Sequence, residues 1–241
     1  MISPANIKIK KLDILALAVI LLFTPIFFYK LGQSSLVSFD EAWYGEIARN
    51  IINSGDLINL TWNGNAYDDH PPAGFWLIAA SEKIFGVNEF GVRFAPALLG
   101  LLSMVTLYFL GKELFSRSVG LASALALPSA FWFLFRARSG NLDVILTFWF
   151  LLTLLLTLRA AKEKKFLLPW SASLSFLALT KTLVPFTIIP SLIFIFWKTK
   201  YSWRDFLWPL MVFILLIGSW LAANLINQPG FIYHYFNIGL P

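Results

Sequence analysis

Seven apolar runs, almost free of charge and separated by short polar turns, leave this chain few ways to fold. They are Ile14–Leu31, Phe94–Leu110, Val119–Phe135, Val144–Leu158, Phe166–Leu179, Leu183–Trp197 and Phe206–Ile226. A soluble core of 241 residues could not bury 24 Phe and 10 Trp in a composition that is 58% hydrophobic, so most of the solvent is lipid. In lipid the backbone must satisfy its own hydrogen bonds, which makes each run a helix. The expectation is an all-α multi-pass membrane protein of about seven spans, with a kink at Pro25 and Pro128 inside the third run. Lys8, Lys10 and Lys11 precede the first run, no small-residue cleavage site follows it, and it reads as an uncleaved helix.

The charges between the runs fix an orientation. The N-terminal lysines and the turns 112–117, 159–165 and 198–204 fall on one side and carry most of the Lys and Arg, so that side is expected to be cytoplasmic. The opposite, extracytoplasmic side receives residues 32–91, the turn 136–143, Lys181 and the tail 227–241 with His234. The net charge of +6 is explained by helix ends and lipid headgroups, and no nucleic-acid partner is implied. The absence of cysteine excludes a disulfide framework and a thiolate site.

Acidic side chains are scarce, yet eight of the thirteen (Asp40, Glu41, Glu46, Asp56, Asp68, Asp69, Glu82, Glu89) lie between Gly32 and Gly91. Such a segment is too long for a mere connection. Two stretches in it, Asp40–Ile52 and Pro72–Phe85, read as short helices in the interface plane, each followed by a glycine. Ser38 and Glu41 have the spacing of a capping box. Asp40-Glu41 therefore serves as a helix cap, as a general base that deprotonates a hydroxyl, or as an acid-lined site that holds a cation. Asp68-Asp69-His70-Pro71-Pro72 is either a solvated turn entering a helix or a place where Asp69 and His70 ligate a divalent metal or orient a sugar.

Arg136 and Arg138 stand on the outer side, against the positive-inside bias. They either snorkel and pair with Asp143 or capture a phosphate, which guanidinium groups match bidentately. Lys181, in the three-residue turn Thr180–Thr182, is either an interfacial anchor or a phosphate partner. His234 stands among aromatic residues, as an interface residue or a metal ligand. Gathered on one face, these groups fit a substrate whose phosphate lies at headgroup depth and whose tail lies in lipid. No glycine-rich nucleotide loop occurs.

The stretches F-D-E-A-W-Y-G-E-I-A-R-N-I-I-N-S-G-D, Y-D-D-H-P-P-A-G-F-W-L, F-G-V-N-E-F-G-V-R-F-A-P-A-L-L-G, R-A-R-S-G-N-L-D and L-A-L-T-K run in the order found in a known group. The chain resembles the polyprenyl-phosphate-sugar glycosyltransferases of the GT-C fold. Within these it is similar to glycosyltransferase family 39, the protein O-mannosyltransferases and aminoarabinose (lipid A) transferases. The resemblance implies a single GT-C transmembrane module over residues 1–241, with interfacial helices in the first outer loop. It implies inverting transfer of a sugar from an undecaprenyl or dolichyl phosphate to a lipid, glycan or protein acceptor outside the plasma membrane.

In that group's pattern Asp40 takes the place of the catalytic base, with Glu41 beside it. Asp143 and Lys181, with Arg136 or Arg138, take positions associated with the lipid-linked phosphate. Asp69 stands where a metal-binding glutamate is found, His70 replaces a lysine, and His234 lies in the loop that supplies a histidine ligand. A divalent metal (Zn, Mg or Mn) is the one cofactor implied. Family members are longer, so the chain is expected to cover their N-terminal module, with a second chain as one source of the rest. Two other classes stay open: a non-catalytic binder of lipid-phosphate sugars, and a transporter or flippase subunit.

Overall fold

The computed structural model describes residues 11–37, 39–181, 183–228, 230, 231 and 235. Among the described residues the elements are helices and one two-stranded hairpin. The long helix α5 (Glu89–Leu114) is the post around which the rest is arranged. Before it come α1 (Lys11–Leu21) and α2 (Thr24–Phe28), then α3 (Phe39–Ser54) and α4 (Ala73–Phe85). After it come α6 (Arg117–Ala126), α7 (Phe131–Ala137), α8 (Asp143–Lys162), α9 (Leu167–Ala178), α10 (Ile189–Trp197) and α11 (Leu207–Asn227). Helices α4, α6 and α8 pack directly on α5, and α9 packs between α8 and α11. At the α5–α6 crossing a Cβ on Gly120 would collide with the backbone oxygen of Tyr108, so only glycine admits this approach.

Among the described residues four helical segments are long and apolar enough to cross a membrane: Lys11–Phe28, Glu89–Leu114, Asp143–Lys162 and Trp203–Asn227. A fifth crossing is made if the bent pair Arg117–Ser129 and Phe131–Ala137, which turns by 74°, counts as one. The turn falls at Ala130, whose backbone is extended (φ −72°, ψ 110°), just after the 3-10 turn that holds Pro128. Of the seven expected spans, the fifth and sixth are shorter. Helix α9 has 12 residues, and Val184–Trp197 is a 3-10 turn followed by the nine residues of α10. Pro185 and Pro190 hold that last segment to two short pieces, although its hydropathy is that of a span.

Both expected interfacial helices are present, as α3 and α4. They are joined by the hairpin β1 (Thr61–Trp62) and β2 (Asn65–Ala66), antiparallel with Thr61 opposite Ala66. Its turn residues Asn63 and Gly64 both have positive φ (49° and 77°), the conformation that an Asn-Gly pair favours. The core under this segment joins Tyr44, Ile47, Ile51, Leu60, Tyr67, Phe75 and Ile78 to Leu99, Leu142 and Ile145 of the spanning helices. The acid-rich segment is therefore packed down on the bundle rather than hanging from it. Ser38, half of the expected capping box, lies outside the described residues.

Charged side chains of the described residues sort into two layers at opposite ends of the helices. In the basic layer, Asp13 on α1 is fully buried. Its carboxylate accepts from Tyr108 (2.6 Å) and pairs with Lys112 (2.8 Å) and Arg117 (3.1 Å), tying α1 to α5 and α6. Glu113 pairs with Arg159 (2.7 Å) and Lys162 (3.6 Å), tying α5 to α8. Asp205 pairs with Lys164 at 2.7 Å. Lys112 and Glu113 belong to the last turn of α5 rather than to a turn after it. The other layer holds the candidate site.

Candidate active site at the acid-bearing end

Four element ends meet here. Asp40 stands in the first turn of α3, Arg136 in the last turn of α7, Asp143 in the first turn of α8, and Lys181 just beyond α9. The carboxylates sit where helix dipoles favour negative charge, and Arg136 where they favour positive. Asn141 is buried, and its Oδ1 accepts from the backbone N–H of Asp143 at 3.0 Å, which fixes the entry into α8. The four side chains form one alternating row. Arg136 reaches Asp40 at 3.5 Å and Asp143 at 3.7 Å, and Lys181 Nζ meets Asp143 Oδ1 at 2.8 Å. All four are about a third to a half exposed (28–47%), so the row is open to a ligand.

The Asp69–Pro72 turn forms the floor. The backbone N–H of Ala73 donates to the carbonyl of Leu179 at 2.9 Å, clamping the start of α4 to the end of α9 and so bringing His70 toward Lys181. Burial lowers the pKa of His70, and the Lys181 charge lowers it further, so the imidazole is neutral at pH 7. Burial raises the pKa of Asp69, with Asp68 adding to the rise and His70 opposing it. Tyr44 and Tyr67 hydrogen-bond each other and pack edge-on against Phe75. Burial pushes both phenols up, and the charges of Asp40, Asp143 and Asp69 act on Tyr44, so they remain neutral donors facing those carboxylates. Sequence reasoning missed the two tyrosines. Tyr44 is four residues after Asp40 on the same helix face, which was the available signal.

Other expected site residues are placed elsewhere. Glu41 points away from the row into the core, 3% exposed, where it meets Arg93 in a two-pronged pair (2.7 and 3.0 Å). It also accepts from the backbone N–H of Gly140 (2.8 Å) and Val37 (3.1 Å). A Cβ on Gly140 would collide with Val92 and crowd Glu41, so glycine is needed for that close approach. Arg138 donates to the carbonyls of Ile26 (2.5 Å) and Tyr29 (2.8 Å) on the far side of α7 from Arg136. His234 lies outside the described residues. Among the described residues no group of three His, Asp or Glu side chains is arranged to hold a metal. Asp69 and neutral His70 supply two donors, one fewer than the three protein ligands of an open catalytic zinc site. We assign no chemical step to a metal.

The sequence pattern of the family described as dolichyl-phosphate-mannose-protein mannosyltransferase matches residues 69–222. An undecaprenyl phosphate-alpha-4-amino-4-deoxy-L-arabinose arabinosyl transferase of Pseudomonas paraeruginosa is 30% identical over 198 residues, covering 76% of this chain and 36% of that protein. The crystal structure of ArnT from Cupriavidus metallidurans bound to undecaprenyl phosphate superposes with a TM-score of 0.78 at 25% identity, over 92% of this chain and 43% of that one. The S. cerevisiae protein O-mannosyltransferase Pmt1–Pmt2 complex bound to its sugar donor superposes at 0.68 and 19% identity, over 98% of this chain and 36% of that one, which is a likeness of fold. The chain thus spans less than half the length of each.

Proposed function

This chain belongs to the dolichyl-phosphate-mannose-protein mannosyltransferase family, and on that premise we propose that it moves a sugar from a polyprenyl phosphate to an acceptor at the membrane surface. The observation that carries this reading is the row Asp40–Arg136–Asp143–Lys181, which sets a carboxylate base beside two cations at one end of the bundle. A relative that superposes over most of the chain was crystallised with undecaprenyl phosphate, which supports a lipid phosphate as the donor's carrier.

The chemistry follows from the arrangement. The acceptor hydroxyl oxygen attacks the anomeric carbon, and Asp40 takes its proton. The bond from that carbon to the phosphate oxygen breaks, and its electron pair leaves with the polyprenyl phosphate. The added negative charge on the leaving phosphate is met by Arg136 and Lys181 rather than by a general acid. Attack from the face opposite the phosphate inverts the anomeric centre. Asp143 holds both cations in place, and the neutral Tyr44 and His70 offer hydrogen bonds to the sugar. A divalent ion at Asp69 and His70 would need a third donor and would add to the positive field on the phosphate.

The transporter reading predicts charges buried at mid-span. Among the described residues the charges lie near helix ends instead, which favours transfer. The direct test supplies the purified chain in lipid with a polyprenyl-phosphate sugar and a membrane extract as acceptor. Sugar appearing on the acceptor supports the proposal. Absence of both transfer and donor binding overturns it.

We place the acid-bearing end outside the inner (plasma) membrane and the basic end in the cytoplasm, because the basic layer collects Lys112, Arg117, Arg159, Lys162 and Lys164. The chain has no cysteine, so single cysteines report cleanly. Asn65→Cys, in the exposed strand β2 of the hairpin, is expected to react with an impermeant maleimide in intact cells, and Lys200→Cys only after permeabilisation. The reverse pattern would sink this orientation.

A further inference from the structure

The acid-bearing end holds a second group of cations, on the other side of α7 from the row. A cavity of about 440 Å³ opens there, with Lys30, Ser34, Arg138 and Ser139 on its polar side and Phe131 and Phe135 on its apolar side. Arg93 and Glu41 close its back wall and neutralise each other. Among the described residues neither Lys30 nor Arg138 has a carboxylate within ion-pair distance, whereas Arg49, Arg93, Arg136 and Lys181 all do. Lys30 also has φ of +55°, a left-handed conformation that non-glycine residues seldom adopt, and it stands at the cavity rim. Its ammonium lies 5.4 Å from the centre of the Tyr29 ring. Phe131 and Phe135, one helical turn apart, stack with centroids 6.0 Å apart, and they remain 71% and 49% exposed on the flank of the bent span.

Two cations without carboxylate partners, a serine hydroxyl and an aromatic wall continuous with a lipid-facing helix are complementary to one kind of occupant. We propose that this cavity binds the phosphate headgroup of an anionic membrane lipid, its acyl chain lying along Phe131 and Phe135. Lys30 and Arg138 contact the phosphate, and Ser34, whose hydroxyl accepts from Arg93, keeps its own proton to donate to it. The proposal rests on the sugar donor occupying the row at Arg136 and Lys181, so this lipid is a second ligand and not the donor. The partners support the separation: Arg136, in the last turn of α7, reaches Asp40 and Asp143, whereas Arg138, the residue that caps that helix, reaches the carbonyls of Ile26 and Tyr29. A phosphate held beside Val37 and Glu41 would bear on the start of α3, and hence on Asp40.

Native mass spectrometry of the chain, released from micelles with added phosphatidic acid, phosphatidylcholine or undecaprenyl phosphate, tests this. The parent should retain phosphatidic acid at least about fivefold better than phosphatidylcholine. Lys30→Gln should remove roughly fivefold of that binding, the scale of one cation at an anionic lipid surface, and Lys30→Arg should restore it. Lys30 is the decisive position, because its side chain makes no hydrogen bond among the described residues and its loss spares the fold, whereas Arg138→Gln also frees the carbonyls of Ile26 and Tyr29. Lys181→Gln should weaken undecaprenyl phosphate and leave phosphatidic acid unchanged. Equal retention of the two phospholipids, or no effect of Lys30→Gln, would overturn the site. Loss of phosphatidic acid in Lys181→Gln would also overturn it, by assigning that lipid to the donor row. Displacement by micromolar inorganic phosphate would replace the lipid with a free anion.

Discussion

Asp40→Asn is expected to lower sugar transfer by at least about a hundredfold, while the affinity for polyprenyl phosphate changes by less than about twofold. The size is that of a lost general base. Selectivity for the chemical step follows from position. Asp40 is the most exposed member of the row, 3.5 Å from Arg136, whereas Lys181 and Arg136 are the groups proposed to meet phosphate. The amide keeps the shape of the side chain and its place in the first turn of α3, so the fold is retained. Transfer at parental rates in Asp40→Asn would remove it as the base. A collapse of donor binding along with transfer would make it a binding group instead.

Arg93→Met is expected to destabilise the protein by about 3–5 kcal/mol, the cost of leaving one member of a buried ion pair alone. Arg93 is 3% exposed, and besides Glu41 it donates to the carbonyls of Leu31 (2.9 Å), Ser34 (2.7 Å) and Ser35 (2.9 Å). One guanidinium thus fastens the chain between α2 and α3 to α5, and Glu41 passes the constraint to Gly140, before α8. Arg93→Lys should recover only part of the loss, since an ammonium cannot reproduce the fork. Thermal unfolding of the purified chain in detergent reads this, and a transition temperature unchanged by Arg93→Met would refute the assignment.

The pair also sets an acid limit. Burial by itself would push the Glu41 carboxyl up. Hydrogen bonds from Arg93, Gly140 and Val37 outweigh it and hold the pKa below the ordinary value of 4.5. The unfolded chain therefore takes up the proton first as pH falls. The stabilisation is present above pH 4.5 and is lost progressively below it. Arg93→Met should flatten that acid limb of the stability curve.

Glu41 shows where sequence reading stopped. Next to Asp40 in F-D-E-A it looks like half of a catalytic pair, because adjacency in sequence was all that was visible. On a helix, neighbours point about 100° apart, so Asp40 faces the open row and Glu41 the core. Its partner Arg93 lies 52 residues away. The available signal was an arginine abutting the apolar run Phe94–Leu110, a position where a charge needs a partner. Asp13 gave the same signal at the start of the first run, and it is fully buried between Lys112 and Arg117.

Arg136 and Arg138 were equal candidates in sequence, and their partners separate them. The hydropathy of Leu183–Trp197 was that of a span, but Pro185 and Pro190 divide it into pieces too short to cross. By contrast, the two helices of the acid-rich segment and the segregation of charge to two ends could be read directly, because each depends on local pattern. The clamp from Ala73 to Leu179, which gathers the row and the histidine turn, is a backbone bond, and no side-chain pattern announces it.

The central claim is that the row at Arg136, Asp143 and Lys181 receives the lipid-linked phosphate. Equilibrium binding of undecaprenyl phosphate to the purified chain in lipid tests it most directly, since it does not depend on an acceptor. Arg136→Gln and Lys181→Gln should each weaken binding by at least about tenfold, the scale of one lost charge-assisted hydrogen bond. Unchanged affinity in both variants would contradict the account and move the phosphate away from this row.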